Sequence, residues 1–333
     1  MTDVKKQNAD SDVCDKLHSL KTLGFVNIGG LNILSANEVE RLHELSDDLL
    51  LRFERDTRET KDYTDFKRTG VGEGAWALTR FSQHHPAITQ AIDKVVSNVN
   101  IKAILTSVLG EDYKIWQIIV RRSAPGDKGL NLHQDSFGET NLVILLTDNL
   151  AGDGATMFLP ESHLFSKTAR ALGVEVPSII ANLLRGIFKP FKGKAGNIGF
   201  FFNRTWHGRF SNTSSQNQDA ILISFFPSGA TFGFGGPYLE WSNEYLESIS
   251  GTELGRLLDP ALGTEVVGDK LYKVTPSAGD MELPYAIKIA DPSVHHLKPA
   301  CWSTYAVILL LRILMSSGRF VKHSMALIKS KLK

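Results

Sequence analysis

The chain has 333 residues, 42% of them hydrophobic and 22% charged, with a formal net charge of +1. That excludes wholesale disorder and allows one large domain, or two small ones, around a sizeable core. The balanced charge carries no footprint of a nucleic-acid binder.

The first fifteen residues, MTDVKKQNADSDVCD, lack the apolar run of a signal peptide and read as a disordered, solvated tail. Cys14 and Cys301 lie in the two terminal segments and cannot form a disulfide framework. This points to a reducing compartment, with the cytoplasm as the default. Residues 16–55 carry helical signals around one extended piece, FVNIGGLNI. In SANEVERLHELSDDLLLRFE, Ser35 stands three before Glu38, the spacing of a capping box at a helix start. From about 60 to 85 the chain is polar and Gly-rich and reads as a long loop, with His84 and His85 solvated in it. The stretch PAITQAIDKVVSNVNIKAILTSVLG then predicts one or two helices ending at Gly110.

Beyond Gly110 the texture changes to short apolar or alternating runs: YKIWQIIV, TNLVILLT, GATMFLP, NIGFFFN and AILISFFP. Rich in Ile, Val and Phe and separated by Gly, Asn, Asp and Pro, they predict a mainly β sandwich or barrel, with the preceding helices covering one sheet. A basic insertion at about 165–193 reads as helical. The Gly-rich run SGATFGFGGPYLEW lacks the residues of a phosphate-binding loop and reads as turn geometry. These elements place one β domain at 16–290 and a separate segment at 291–333.

After Asp291 no acidic residue occurs, whereas Lys298, Arg312, Arg319, Lys322, Lys329, Lys331 and Lys333 are basic. Residues 305–333 project as a basic amphipathic helix, suited either to the interface of an anionic membrane or to packing on the barrel or a partner subunit. The apolar run YAVILLLRILM is well short of the roughly 20 residues that span a bilayer.

The chemistry centres on GLNLHQDSFG. Strand side chains alternate, so His133 and Asp135 project to one face and can clamp a common point. A ferrous site of two imidazoles and one carboxylate needs one more histidine and leaves positions open for cosubstrate and dioxygen. His207, in FFFNRTWHGRF just past an apolar strand, is the candidate. His163, closing a turn in LPESH, reads as structural, and His295 and His296, beside the basic tail, read as solvated.

In this order, LGFVNIGGL, SAPGDKGLNLHQD, DNLAGDGATMFLPESH and GNIGFFFNRTWHGRFSN resemble the phytanoyl-CoA dioxygenase family of iron(II)- and 2-oxoglutarate-dependent oxygenases, over about residues 20–227. The resemblance implies a double-stranded β-helix, or jelly-roll barrel, with iron held by His133, Asp135 and His207. It also implies that Fe(II), 2-oxoglutarate and O2 are used to hydroxylate an unactivated C–H bond. An aspartate at 135, rather than Ala or Gly, matches hydroxylating members and not halogenases. The family places an arginine eleven residues after the second histidine for the far carboxylate of 2-oxoglutarate, and here that position is Gln218. Two arginines are candidate replacements. Arg209 is two residues past His207, and Arg121 shares a strand face with Gln117 and Ile119. If that face looks into the barrel, Gln117, Arg121, Arg209 and Gln218 are the candidate cosubstrate-binding residues. The expected substrate is a small or lipid-linked organic molecule. Two rival readings stand beside this one: a barrel that binds without turnover, and a zinc hydrolase using the same triad.

Overall fold

A computed structural model describes residues 2–59, 66–68, 74–134, 138–164, 177–227, 230–231, 241–258, 273–274, 285–286, 306–307 and 310. The chain opens with helix α1 (Thr2–Leu23), which takes in the residues read above as a disordered tail. Gly24 ends it at φ +87°, and a side chain there would run into the Thr205 hydroxyl and the His163 ring. Strand β1 (Phe25–Gly29) follows.

Helix α2 (Ala36–Glu59) begins with the predicted capping box. The Ser35 amide donates to Glu38 Oε2 at 2.7 Å, and the Glu38 amide donates to Ser35 Oγ at 3.3 Å. Lys94 joins this carboxylate at 2.8 Å, and Lys94, followed by the Ser35 bonds, holds Glu38 down at about 2.

The segment predicted as a long loop contains two strands, β2 (Phe66–Arg68) and β3 (Ala75–Leu78). They extend the sheet beside the next long strand, and that pairing satisfies a polar, Gly-rich stretch with little periodicity of its own. His84 and His85 are not solvated either. His84 Nε2 bonds the Thr79 carbonyl at 3.2 Å, and His85 Nδ1 caps the following helix by accepting from the Ala87 amide at 3.1 Å.

The helical stretch before Gly110 is two helices, α3 (Pro86–Val96) and α4 (Val99–Leu109). Asn98 divides them, its Oδ1 accepting from the amides of Asn100 and Ile101. Their apolar faces, including Ile92, Val95, Ile104 and Leu105, pack on one face of a seven-stranded sheet.

That sheet runs β1-β9-β6-β11-β4-β3-β2, built from β4 (Tyr113–Ser123), β6 (Thr140–Leu145), β9 (Ile198–Phe202) and β11 (Gln218–Pro227) with the three strands already given. A four-stranded sheet, β5-β10-β7-β8, faces it, with β5 (Leu130–His133), β7 (Thr156–Phe158), β8 (Lys189–Pro190) and β10 (His207–Arg209). Named pairings are antiparallel, and the two sheets form the double-stranded β-helix.

Alternation then sorts every strand residue. Ile118, Val120, Leu142, Ile144, Ile221 and Ile223 meet the helices. Ile119, Val143, Leu145, Phe201 and Leu222 turn inward to meet Phe158 and Phe191.

Of the 165–193 insertion, residues 165–176 lie outside the described part. The remainder is a short helix, Ser178–Leu183, and β8, so it is only partly helical. Most of 291–333, with His295 and His296, also lies outside it. Val307 of that segment packs against the cluster of Leu132, Met157 and Phe188. No described helix is long and apolar enough to cross a membrane.

Candidate metal centre

His207 and His133 face each other across the β10–β5 pairing, in register, with ring centroids 4.4 Å apart. A shift of register follows at once, so that Arg209 pairs with Leu130. Gly208 permits this crowding, because a Cβ there would lie 2.8 Å from the Leu130 carbonyl oxygen and 2.9 Å from Met157 Cε.

Each imidazole is oriented by the backbone two residues before it. His133 Nδ1 lies 2.8 Å from the Asn131 carbonyl, and His207 Nδ1 lies 2.8 Å from the Thr205 carbonyl. A carbonyl only accepts, so Nδ1 carries a proton in both rings and Nε2 is the nitrogen a metal would use. That is the tautomer a metal takes, with the orienting bond already made. Burial, followed by the adjoining His133 ring, holds His207 well below the ordinary imidazole range, so this ring is neutral. Phe201 closes one side at 5.1 Å between ring centroids.

Asp135 lies outside the described residues. Among those described, no third His, Cys, Asp or Glu completes a metal-binding group with the two imidazoles. Gln134, between His133 and Asp135, reaches the opposite way and donates from Nε2 to the Arg204 carbonyl, which ties this turn to the one entering β10. The donor set fits a ferrous ion: two imidazoles on neighbouring strands, each with Nδ1 tied to a backbone carbonyl, and a carboxylate two residues on in sequence.

A pocket of about 590 Å³, part of it open to solvent, adjoins His207. Arg121, Arg209 and Gln218 line it, with Val143, Leu145 and Phe191 as apolar walls. The β4 face carrying Ile119 and Arg121 does look inward. Gln117, on the same face, stands opposite Ser224 in the middle of the strand and is not in the pocket lining. Arg209 lines the pocket, but its Nε donates to Asp127 Oδ2 at 2.9 Å. Asp127 is itself buried and accepts from Ser123 Oγ and the Gly129 amide.

Sequence reasoning missed Asp127 and Gln134. The signal for Gln134 was present, since alternation turns it away from its two neighbours. Asp127 meets Arg209 only through the fold.

His163 is structural, as read from its turn. It is 1% exposed and Nε2 bonds the Lys21 carbonyl at 3.0 Å. Burial pushes its pKa down to about 4, against that hydrogen bond. In the unfolded chain it titrates near 6.5, so on acidification the unfolded state takes the proton first. Stability from this ring is complete above about pH 6.5 and falls from there to about 4. Urea unfolding of the wild type and His163→Asn is expected to show their stability gap narrowing by about 2 kcal/mol between pH 7 and 5; a constant gap contradicts the assignment.

A jelly roll with paired imidazoles on adjoining inner strands, opening onto a cation-lined pocket, is the architecture of a mononuclear metal oxygenase. A model of the phytanoyl-CoA dioxygenase (PhyH) family matches residues 20–220, and the chain belongs to that family. Dioxygenase af480 of Aspergillus fumigatus is 25% identical over 180 residues, 50% of this chain and 54% of that protein. Dioxygenase cdmA of Talaromyces verruculosus is 27% identical over 130 residues, 35% of this chain and 41% of that protein. The match thus spans about half the length of these curated relatives. Two solved structures share the fold. AviO1 of Streptomyces viridochromogenes Tue57 is 17% identical with a TM-score of 0.50, covering 65% of this chain and 95% of that one. The non-heme alpha ketoglutarate dependent epimerase SnoN from nogalamycin biosynthesis is 15% identical with a TM-score of 0.50, covering 68% and 88%.

Proposed function

We propose that the protein is an iron(II)- and 2-oxoglutarate-dependent dioxygenase that hydroxylates an unactivated C–H bond of a small organic molecule. The observation carrying this reading is the facing pair His133 and His207, in register on adjoining strands and each with Nδ1 tied to a backbone carbonyl. Family membership and two relatives named as dioxygenases support it.

His133, His207 and Asp135 would hold the ferrous ion. Iron with a 2-oxo acid, when bound there, would supply the oxygen activation for hydroxylation. The chain's own part is positional. The two carbonyl bonds keep the imidazoles in one tautomer and one orientation, so no reorganisation is needed when metal binds. Phe201, Phe158 and Phe191 exclude water from the inner wall, which strengthens every charge interaction in the pocket. His207, Arg121, Arg209 and Gln218 line one pocket, so the candidate cosubstrate-binding residues adjoin the candidate metal centre.

The test is release of labelled CO2 from 1-labelled 2-oxoglutarate by anaerobically iron-loaded protein, with oxygen then admitted in the presence of a panel of small-molecule substrates. Release that needs both iron and oxygen is expected. Protein that binds neither iron nor 2-oxoglutarate is a non-catalytic barrel, and tight zinc retention with oxygen-independent hydrolysis marks a zinc enzyme; either result overturns the proposal.

A further inference from the structure

We propose that the outer face of the four-stranded sheet, capped by the short helix Ser178–Leu183, docks the protein on an anionic lipid bilayer. The proposal is independent of the iron-dependent reading above.

The helix is apolar on both sides. Ala181 is fully buried, and Ile180 and Leu184 are partly buried, against the cluster of Leu132, Met157 and Phe188. On the other side Ile179 is 69% exposed and Leu183, one turn on, is 80% exposed. Residues four apart form one ridge, and a helix that is apolar all round is normally covered on every side. Bare aliphatic side chains on one ridge therefore mark a contact surface. Leu150, 60% exposed, stands in the turn that the end of this helix holds. There Arg185 donates from Nη2 to the Gly152 carbonyl at 2.7 Å and to Asp153 Oδ1 at 3.1 Å.

Cations adjoin the ridge. Lys192 lies over the same turn, since a Cβ at Gly152 would come within 3.0 Å of its Cε. Lys128 adjoins the helix through two hydrogen bonds: Asn182 Nδ2 donates to Ser211 Oγ at 3.0 Å, and that hydroxyl donates to the Lys128 carbonyl at 3.1 Å. Both lysines are exposed. Asp153 is paired with Arg185, and from Pro177 to Asn197 the chain has four basic residues and no acidic one. The segment after Asp291, whose Val307 packs on the same cluster, adds seven basic residues and no acidic one.

Aliphatic side chains beside lysines are complementary to an anionic bilayer: the aliphatic groups enter the acyl boundary and the ammonium groups meet the headgroups. A stable protein partner would cover about 800 Å², more than three aliphatic side chains supply.

Flotation of the full chain with vesicles of phosphatidylcholine, alone or mixed with about one third phosphatidylserine, tests this. Binding to the mixed vesicles only, weakening as salt rises, is expected. Ile179→Ser with Leu183→Ser is expected to weaken it at least about tenfold, and so is Lys128→Glu with Lys192→Glu. Leu51→Ser, at an exposed leucine of α2, is expected to bind within about twofold of wild type. Every substituted position is exposed, so melting temperatures are expected to hold. No binding by the wild type, equal binding to both vesicles, or either double variant within about twofold of wild type overturns the proposal. A wild-type dimer that the serine variants dissolve also overturns it, by giving the ridge to a second copy, and a lowered melting temperature in those variants does so by showing the ridge packed within the chain.

Discussion

His207→Ala is expected to lower ferrous affinity by more than about 100-fold. Residues that merely orient a metal ligand already contribute about 10- to 100-fold, and a ligand itself contributes more. The ring is buried, its Nδ1 proton is committed to the Thr205 carbonyl, and no other described His, Cys, Asp or Glu stands by to replace it. Anaerobic Fe(II) titration measures the loss, and a thermal melt of the same variant separates it from misfolding. His207→Gln, which fills much of the space without an imidazole, is expected to fold and still lose iron. Ferrous affinity within twofold of wild type in either folded variant rules out this centre.

The second large effect concerns the join between α2 and the barrel. Arg122 makes a fork to Asp219, 2.9 Å from Nε and 2.6 Å from the terminal nitrogen, while Asp47 of α2 lies at 2.7 Å. His43, also on α2, is 3.5 Å from the same Asp219 carboxylate. Burial opposes the charge on Asp219, but Arg122 and His43 outweigh it and hold the carboxyl below its ordinary value. The stabilisation is therefore present above the unfolded carboxylate range and is lost as pH falls through the lowered folded value.

Asp219→Ala leaves a guanidinium 5% exposed with only the outer carboxylate. Breaking a buried pair costs about 3–5 kcal/mol, and retention of Asp47 puts the expected loss near about 3 kcal/mol by urea unfolding at pH 7. Joint replacement by Arg122→Leu and Asp219→Leu is expected to recover most of it, because a well-packed apolar pair avoids desolvating both charges. A loss under about 1 kcal/mol for the single variant shows that the pair does not anchor this face. The position also bears on the pocket, since Asp219 directly follows Gln218 on β11.

Much of this was legible in the sequence where local chemistry decides local structure. Ser35 and Glu38 announced the start of α2, and alternation through YKIWQIIVRR put Arg121 and Arg122 on opposite faces. Which face turned inward depended on where α3 and α4 packed, and that is a tertiary fact. The residues about 60–85 misled because β2 and β3 have weak patterns and owe their state to the edge of β4. Polar residues at the N-terminus read as a tail, yet they continue the helix that leads into β1. The roles of His84 and His85 depended on hydrogen bonds of a kind that composition does not show. The ion pair between Arg209 and Asp127 was beyond the sequence for a similar reason, as the two meet only when β10 closes beside β5. His133 and His207, by contrast, were recognisable because each stands at an inner-strand position beside a turn.

X-ray absorption at the iron edge of anaerobically loaded protein addresses the central claim most directly. The multiple-scattering pattern of two imidazoles in the iron coordination sphere is the predicted spectrum, falling to one in His133→Ala. A wild-type spectrum without imidazole scattering, in protein that has taken up iron, contradicts the assignment of these strands as a metal centre.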